Sequence, residues 1–112
     1  MTEELIKPFE VTEKHIVILI PDRVDIQITR EYIKKLESTI SSSHRSIIIK
    51  TENDFQLSSI YFGFIMTVHN FTKTNNLDLS MVCNKEKILK MFDMLKIGHL
   101  FTVYPTMEDA LK

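Results

Sequence analysis

Glycine is scarce: the 112 residues hold only Gly63 and Gly98. A phosphate-cradling P-loop needs a glycine-rich stretch closed by Gly-Lys-Ser/Thr, and a dinucleotide fingerprint needs clustered glycines. Neither can be assembled here, so a nucleotide enzyme of either common type is excluded. Cys83 is the sole cysteine and can form no internal disulfide, which agrees with a reducing compartment. No apolar run approaches the roughly 20 residues of a membrane helix; the longest near-apolar stretch is Ile60 to Met66. The opening Met1-Thr2-Glu3-Glu4 is acidic where a secretory signal is basic, and no long apolar region follows. A net charge of −1 recommends neither nucleic acid nor an anionic membrane as partner. The expectation is a cytoplasmic protein without membrane or nucleic-acid contacts.

What is present is an ordinary globular composition, 44% hydrophobic and 26% charged. The length suits one domain over residues 1–112 with one core. Helical and strand periods alternate along it. Pro8 to Glu13 and His15 to Ile20 read as strands, ended by the turn Pro21-Asp22-Arg23. From Ile26 to Ile40, Tyr32, Ile33, Leu36 and Ile40 recur at helical spacing, with Asp25 as the N-cap. Ser41-Ser42-Ser43-His44 ends that helix, and Ile47-Ile48-Ile49 forms the next strand. Asn75-Asn76 is a turn, and Leu77, Leu79, Met81 and Cys83 alternate as a strand. Asn84 caps a helix carrying Ile88, Met91, Phe92 and Leu95, closed by Gly98. Leu100 to Tyr104 is a last strand, and Thr106 with Asp109 opens a terminal helix at capping-box spacing.

The order is β-β-α-β-α-β-α-β-α. It predicts an α/β domain whose mixed, mostly parallel sheet is flanked by four helices, around 26–41, 58–73, 85–96 and 106–111. Ile47, Ile49, Ile60, Phe64, Val68, Ile88, Phe92, Leu95 and Phe101 are the expected core.

The most informative segment is Ser46 to Met66. A β-branched run gives way to polar Thr51-Glu52-Asn53-Asp54, and the Ser58-Ser59 pair opens an apolar helix with Ile60, Phe64, Val68 and Phe71 on one stripe. A strand over residues 60–66 is the rival, but the stripe runs on too long for one. Ser58 then stands at a helix N-terminus, where unpaired backbone N–H groups and the helix dipole favour negative charge. A phosphate there adds about −1.5 to −2 charge. The structural alternative is that one serine only caps the helix. A serine hydrolase would need a Gly-x-Ser-x-Gly elbow, which neither serine has.

Other chemistry-bearing residues read as structural. His15, His44, His69 and His99 have no partner at metal-ligand spacing, nor does Cys83, so no metal or cofactor is expected. Cys83 reads as a small core hydrophobe and Met81, Met91 and Met94 as core filler. Lys85, Lys87, Lys90 and Lys96 are interrupted by Glu86 and Asp93, as on a solvated face. Asp25 and Asp54 could form a carboxylate pair, but a cap and a loop explain them better.

From about residue 8 onward the chain resembles the STAS domain, the fold of bacterial anti-sigma-factor antagonists. The element order is the same. The family's central pattern is an aromatic, a hydrophobe, Asp, a Ser followed by Ser, Ala or Thr, then Gly and an apolar helix; here Phe55-Gln56-Leu57-Ser58-Ser59-Ile60-Tyr61 stands in its place. Asp25 matches the Asp that ends the family's turn after the second strand. The best match is Met91-Phe92-Asp93-Met94-Leu95-Lys96-Ile97-Gly98-His99-Leu100-Phe101 with Tyr104-Pro105-Thr106-Met107-Glu108-Asp109-Ala110-Leu111. The resemblance implies a non-enzymatic regulator that binds an anti-sigma factor with serine kinase activity and is switched by phosphorylation of Ser58. A phosphatase would be a second partner. The implied contact surface is Asp25, Leu57, Ser58, Ser59, Ile60 and Tyr61. Leu57 and Ile60 replace the family's Asp and Gly, so a STAS adaptor or scaffold subunit independent of phosphorylation stays open, and a hydrolase using Ser58 remains a remote third reading.

Overall fold

In a computed structural model, residues 9–20, 25–50, 59–83, 86–94 and 102–111 are described, with the side chains of 59, 60, 87, 88, 91 and 92 left aside. The strands are β1 (Glu10–Val11), β2 (His15–Leu19), β3 (Ser46–Lys50), β4 (Asp78–Val82) and β5 (Thr102–Tyr104). They lie side by side in chain order; β1 pairs antiparallel with β2, and every later neighbour is parallel. Three longer helices connect them, α1 (Ile26–Thr39), α2 (Ser59–Thr74) and α3 (Glu86–Met94). The fourth expected helix is reduced to one turn, α4 (Met107–Ala110).

The alternation of side chains along each strand divides the core in two. Ile16, Ile18, Ile47, Ile49, Leu79, Met81 and Cys83 face α1 and α2. Val17, Ile48 and Val82 face the other way, against Ala110 of α4. Parallel strands covered on both sides are apolar on both sides, which is why Ile47-Ile48-Ile49 is buried without interruption. A strand order that follows chain order, with right-handed crossovers, puts successive helices on the same face, and α1 and α2 share theirs.

Tyr32 ties these layers together. It is fully buried, and its hydroxyl donates to the Leu19 carbonyl at 3.2 Å. Its ring meets Phe64 of α2 edge-on at 5.2 Å and Phe9 at 5.7 Å. Such aromatic pairs add about 0.5–1.5 kcal/mol beyond the area they bury.

Several boundaries and burials differ from expectation. The first strand is two residues rather than Pro8 to Glu13, because the Thr12 N–H turns to the His15 carbonyl at 2.8 Å. The α1 seam is Ile28, Tyr32 and Leu36; Ile33 and Ile40 sit half-buried on its flank. In α2 the buried set is Phe64, Ile65, Val68 and Thr72, while Phe71 is half-buried. Thr72 can be buried because its hydroxyl donates to the His69 carbonyl at 2.6 Å. Met94, read as core filler, is 81% exposed at the last position of α3. Ile60, Ile88, Met91 and Phe92 as side chains, and Asn84, Leu95, Gly98, His99 and Phe101 as residues, lie outside what is described.

Candidate partner-binding site

Helices that follow parallel strands start at the carboxyl ends of those strands, so α1 and α2 both open at the same end of the sheet. Asp25 sets the start of α1. Its backbone is extended, and its Oδ1 accepts from the Ile28 N–H at 2.8 Å. Its carbonyl accepts from the Thr29 N–H at 3.0 Å and from the Thr29 hydroxyl at 2.9 Å. The expected N-cap is therefore present, and its carboxylate is already engaged with the helix it caps.

The first turn of α1 and the second and third turns of α2 form the walls of an open groove of about 820 Å3. Its apolar lining is Ile26, 73% exposed, with Gly63 and Phe64; Arg30 and Thr67 supply polar rim. An added Cβ at Gly63 would meet nothing within 4 Å, so the backbone there lies open. The two threonine hydroxyls on the walls are turned inward to their own helices: Thr29 to Asp25 and Thr67 to the Gly63 carbonyl at 2.7 Å. The groove thus offers apolar surface and a guanidinium rather than an activated hydroxyl. Among the described residues, no group of three His, Cys, Asp or Glu could hold a metal ion.

Of the residues expected to contact a partner, Asp25 lines this groove. Ser59 and Ile60 are the first residues of α2, and Tyr61 is half-buried against the core. Leu57 and Ser58 lie outside the described residues, as does Asp54. The sequence reading missed Ile26, Arg30, Gly63 and Thr67 as groove residues. Two signals were available: an isoleucine off the buried stripe of α1, and a lone glycine inside a helix, where it costs roughly 1 kcal/mol relative to alanine.

The described histidines lie elsewhere, and His99 is outside the described residues. His15 and His44 are locally bonded at the amino ends of the strands, His15 to Ser46 and His44 to Thr12 and Ser41. Cys83, directly after β4, is buried. Lys90 is exposed and pairs with Glu86 at 3.4 Å on the outer side of α3. Among the described residues no helix is long and apolar enough to cross a membrane.

No protein-family model matches the chain, and no curated protein does. Among solved structures, it is similar to the NMR structure of the protein TM1081, with a TM-score of 0.76 over 93% of this chain and 84% of that one. Sequence identity between the two is 12%, so the likeness establishes a shared fold and nothing of shared activity.

Proposed function

We propose that this is a STAS-like regulatory protein that acts in the cytoplasm by reversible binding to an anti-sigma factor or serine kinase, with Ser58 as its phosphorylation switch. The observation that carries the reading is positional. Ser58 immediately precedes the first residue of α2 in sequence, and the groove between α1 and α2 opens about one turn further on, at Gly63. The element order agrees with that of the family the sequence resembles. A partner seated on the start of α2 must desolvate that surface. A hydroxyl tolerates this, whereas a phosphate buried without a matching cation costs several kcal/mol. The dipole of α2 offsets about 0.3–1 kcal/mol of that at an exposed site. Phosphorylation is therefore compatible with the fold and incompatible with the interface.

The test is a quantitative pull-down from the native cell followed by affinity measurement with wild type, Ser58→Ala and Ser58→Asp. The switch requires Ser58→Ala to bind like wild type and Ser58→Asp to bind at least about tenfold more weakly, about 1.4 kcal/mol. Equal affinities would leave the second reading, an adaptor independent of phosphorylation, which Leu57 and Ile60 in place of the family's Asp and Gly favour. Stoichiometric labelling of Ser58 by a fluorophosphonate probe would instead support a hydrolase.

A further inference from the structure

The groove does not stop at the start of α2. Thr67 also lines a second depression of about 460 Å3, which runs on along α1 and α2 past Ile33, Ile40 and Phe71. The two form one valley between the parallel helices. Its apolar lining explains why Ile33, Ile40 and Phe71 are only half-buried: they flank the valley instead of entering the core.

Three charged side chains border this valley, Asp25, Arg30 and Glu37. The Asp25 carboxylate is engaged as the cap of α1, which leaves two of opposite sign, both from α1. Arg30 lies at one end and Glu37 at the other. Seven residues of helix separate them by two turns, on the order of 10 Å, on the same side of α1. The ion pairs among the described residues are Lys34–Glu31 and Lys90–Glu86, and neither Arg30 nor Glu37 has a partner. Both are exposed and available to a ligand.

We infer that the valley receives an amphipathic helix of a partner protein, carrying an acidic residue opposite Arg30 and a basic residue opposite Glu37 along one edge of an apolar stripe. An extended segment fits less well. The valley walls are helices whose backbone groups are already bonded, so a strand laid there would leave its own N–H and C=O groups unpaired over an apolar floor. A helix satisfies its own backbone and needs only apolar area plus a few charges, the usual arrangement for helix-in-groove recognition. The valley hydroxyls reinforce this choice. Thr29, Thr67 and Thr74 each donate to a carbonyl of their own helix, so beside the neutral amides of Gln27 and Asn70 the charged selectivity rests on Arg30 and Glu37. Gly63 provides the place of nearest approach. The inference rests on the reading above only in taking the partner to be a protein, and it does not require phosphorylation of Ser58.

The test uses the full chain, isotope-labelled, and three designed peptides of about 15 residues that share a leucine stripe. They differ at two positions seven apart: Glu with Lys, Glu with Glu, and Lys with Lys. The mixed peptide should bind at least about tenfold more tightly than either like-charged one, with amide shifts centred on Gly63, Thr67 and Asn70. Arg30→Glu makes both ends of the valley acidic and should transfer the preference to the Lys-Lys peptide. Gly63→Leu, whose Cβ meets nothing within 4 Å, narrows the valley, so it should weaken all three while the melting temperature does not fall. Charge-independent binding, shifts elsewhere, or no binding would each overturn the proposal. Self-association in sedimentation that Gly63→Leu abolishes would overturn it too, making a second copy the occupant. No native partner enters the measurement, so its failure leaves the Ser58 switch standing, and failure of the switch leaves the valley standing.

Discussion

The two ends of the sheet treat polar groups in opposite ways. At the amino ends of β2, β3 and β4 the loops are laced together. The Ser43 hydroxyl donates to the Glu13 carbonyl at 2.8 Å, the Arg45 N–H to Lys14 at 2.7 Å, and the Asp78 N–H to Arg45 at 2.9 Å. His44 sits at the centre, buried, with Nδ1 accepting from the Ser41 N–H at 3.0 Å. That bond fixes the ring hydrogen on Nε2, which donates to the Thr12 carbonyl at 2.9 Å. At the carboxyl end, by contrast, Arg30 has no partner among the described residues, Ile26 is exposed, and Gly63 faces open space. A group already bonded within the chain can hold the fold but cannot recognise anything else. The amino end uses its polar groups for the fold, and the carboxyl end leaves Arg30 without a partner among the described residues, as the proposed binding site requires.

The largest test of that contrast is His44→Ala. It removes two hydrogen bonds of a buried ring, while the Ser41 N–H and Thr12 carbonyl belong to exposed residues that water can reach, so it should lower stability by about 1–3 kcal/mol in urea titration. Partner affinity measured on the folded fraction should not change. A loss of affinity there would break the separation between the ends. Ser58→Asp should do the reverse: a near-native melting temperature, with partner binding weakened by about 1.4 kcal/mol or more by calorimetry.

Asp25→Ala belongs to both ends of the argument. Loss of the cap should cost about 1 kcal/mol of stability, and Asp25→Asn, which still accepts from Ile28, should recover most of it in thermal melts. If Asp25→Asn binds the partner normally, the carboxylate serves α1 and not the interface. The smallest effect is expected for Gly63→Ala. With nothing within 4 Å of the new methyl, helix propensity should raise stability by about 0.5–1 kcal/mol. A destabilised Gly63→Ala variant would mean that the valley floor is tighter than it stands here.

Much of this fold is legible in local pattern. Uninterrupted Ile47-Ile48-Ile49 marks a strand covered on both faces, Asp25 and Thr106 mark helix starts, and Asn76, with a positive φ of 57°, marks the turn before β4. These are short-range signals, because caps, turns and periodicity are set within a few residues by backbone stereochemistry and hydrogen bonding. The candidate site was less legible. Asp25 was named, but Arg30 and Thr67 were not, since nothing near either in sequence distinguishes a valley wall from a solvated face; only Ile26 and Gly63 carried a local signal.

The sequence by itself therefore determined the order of elements, a mixed and mostly parallel sheet, and the buried character of β3; the strand order and the antiparallel place of β1 came only with the tertiary structure. Tertiary structure alone decided which apolar residues stayed out of the core. Ile33 and Leu36 are equally apolar and belong to the same helix, yet Leu36 is fully buried and Ile33 flanks the valley. The difference is the angle at which α1 rests on the sheet and its distance from α2. Both come from the packing of Tyr32 against Phe64 and Phe9, contacts between segments too far apart in the chain for any local pattern to specify.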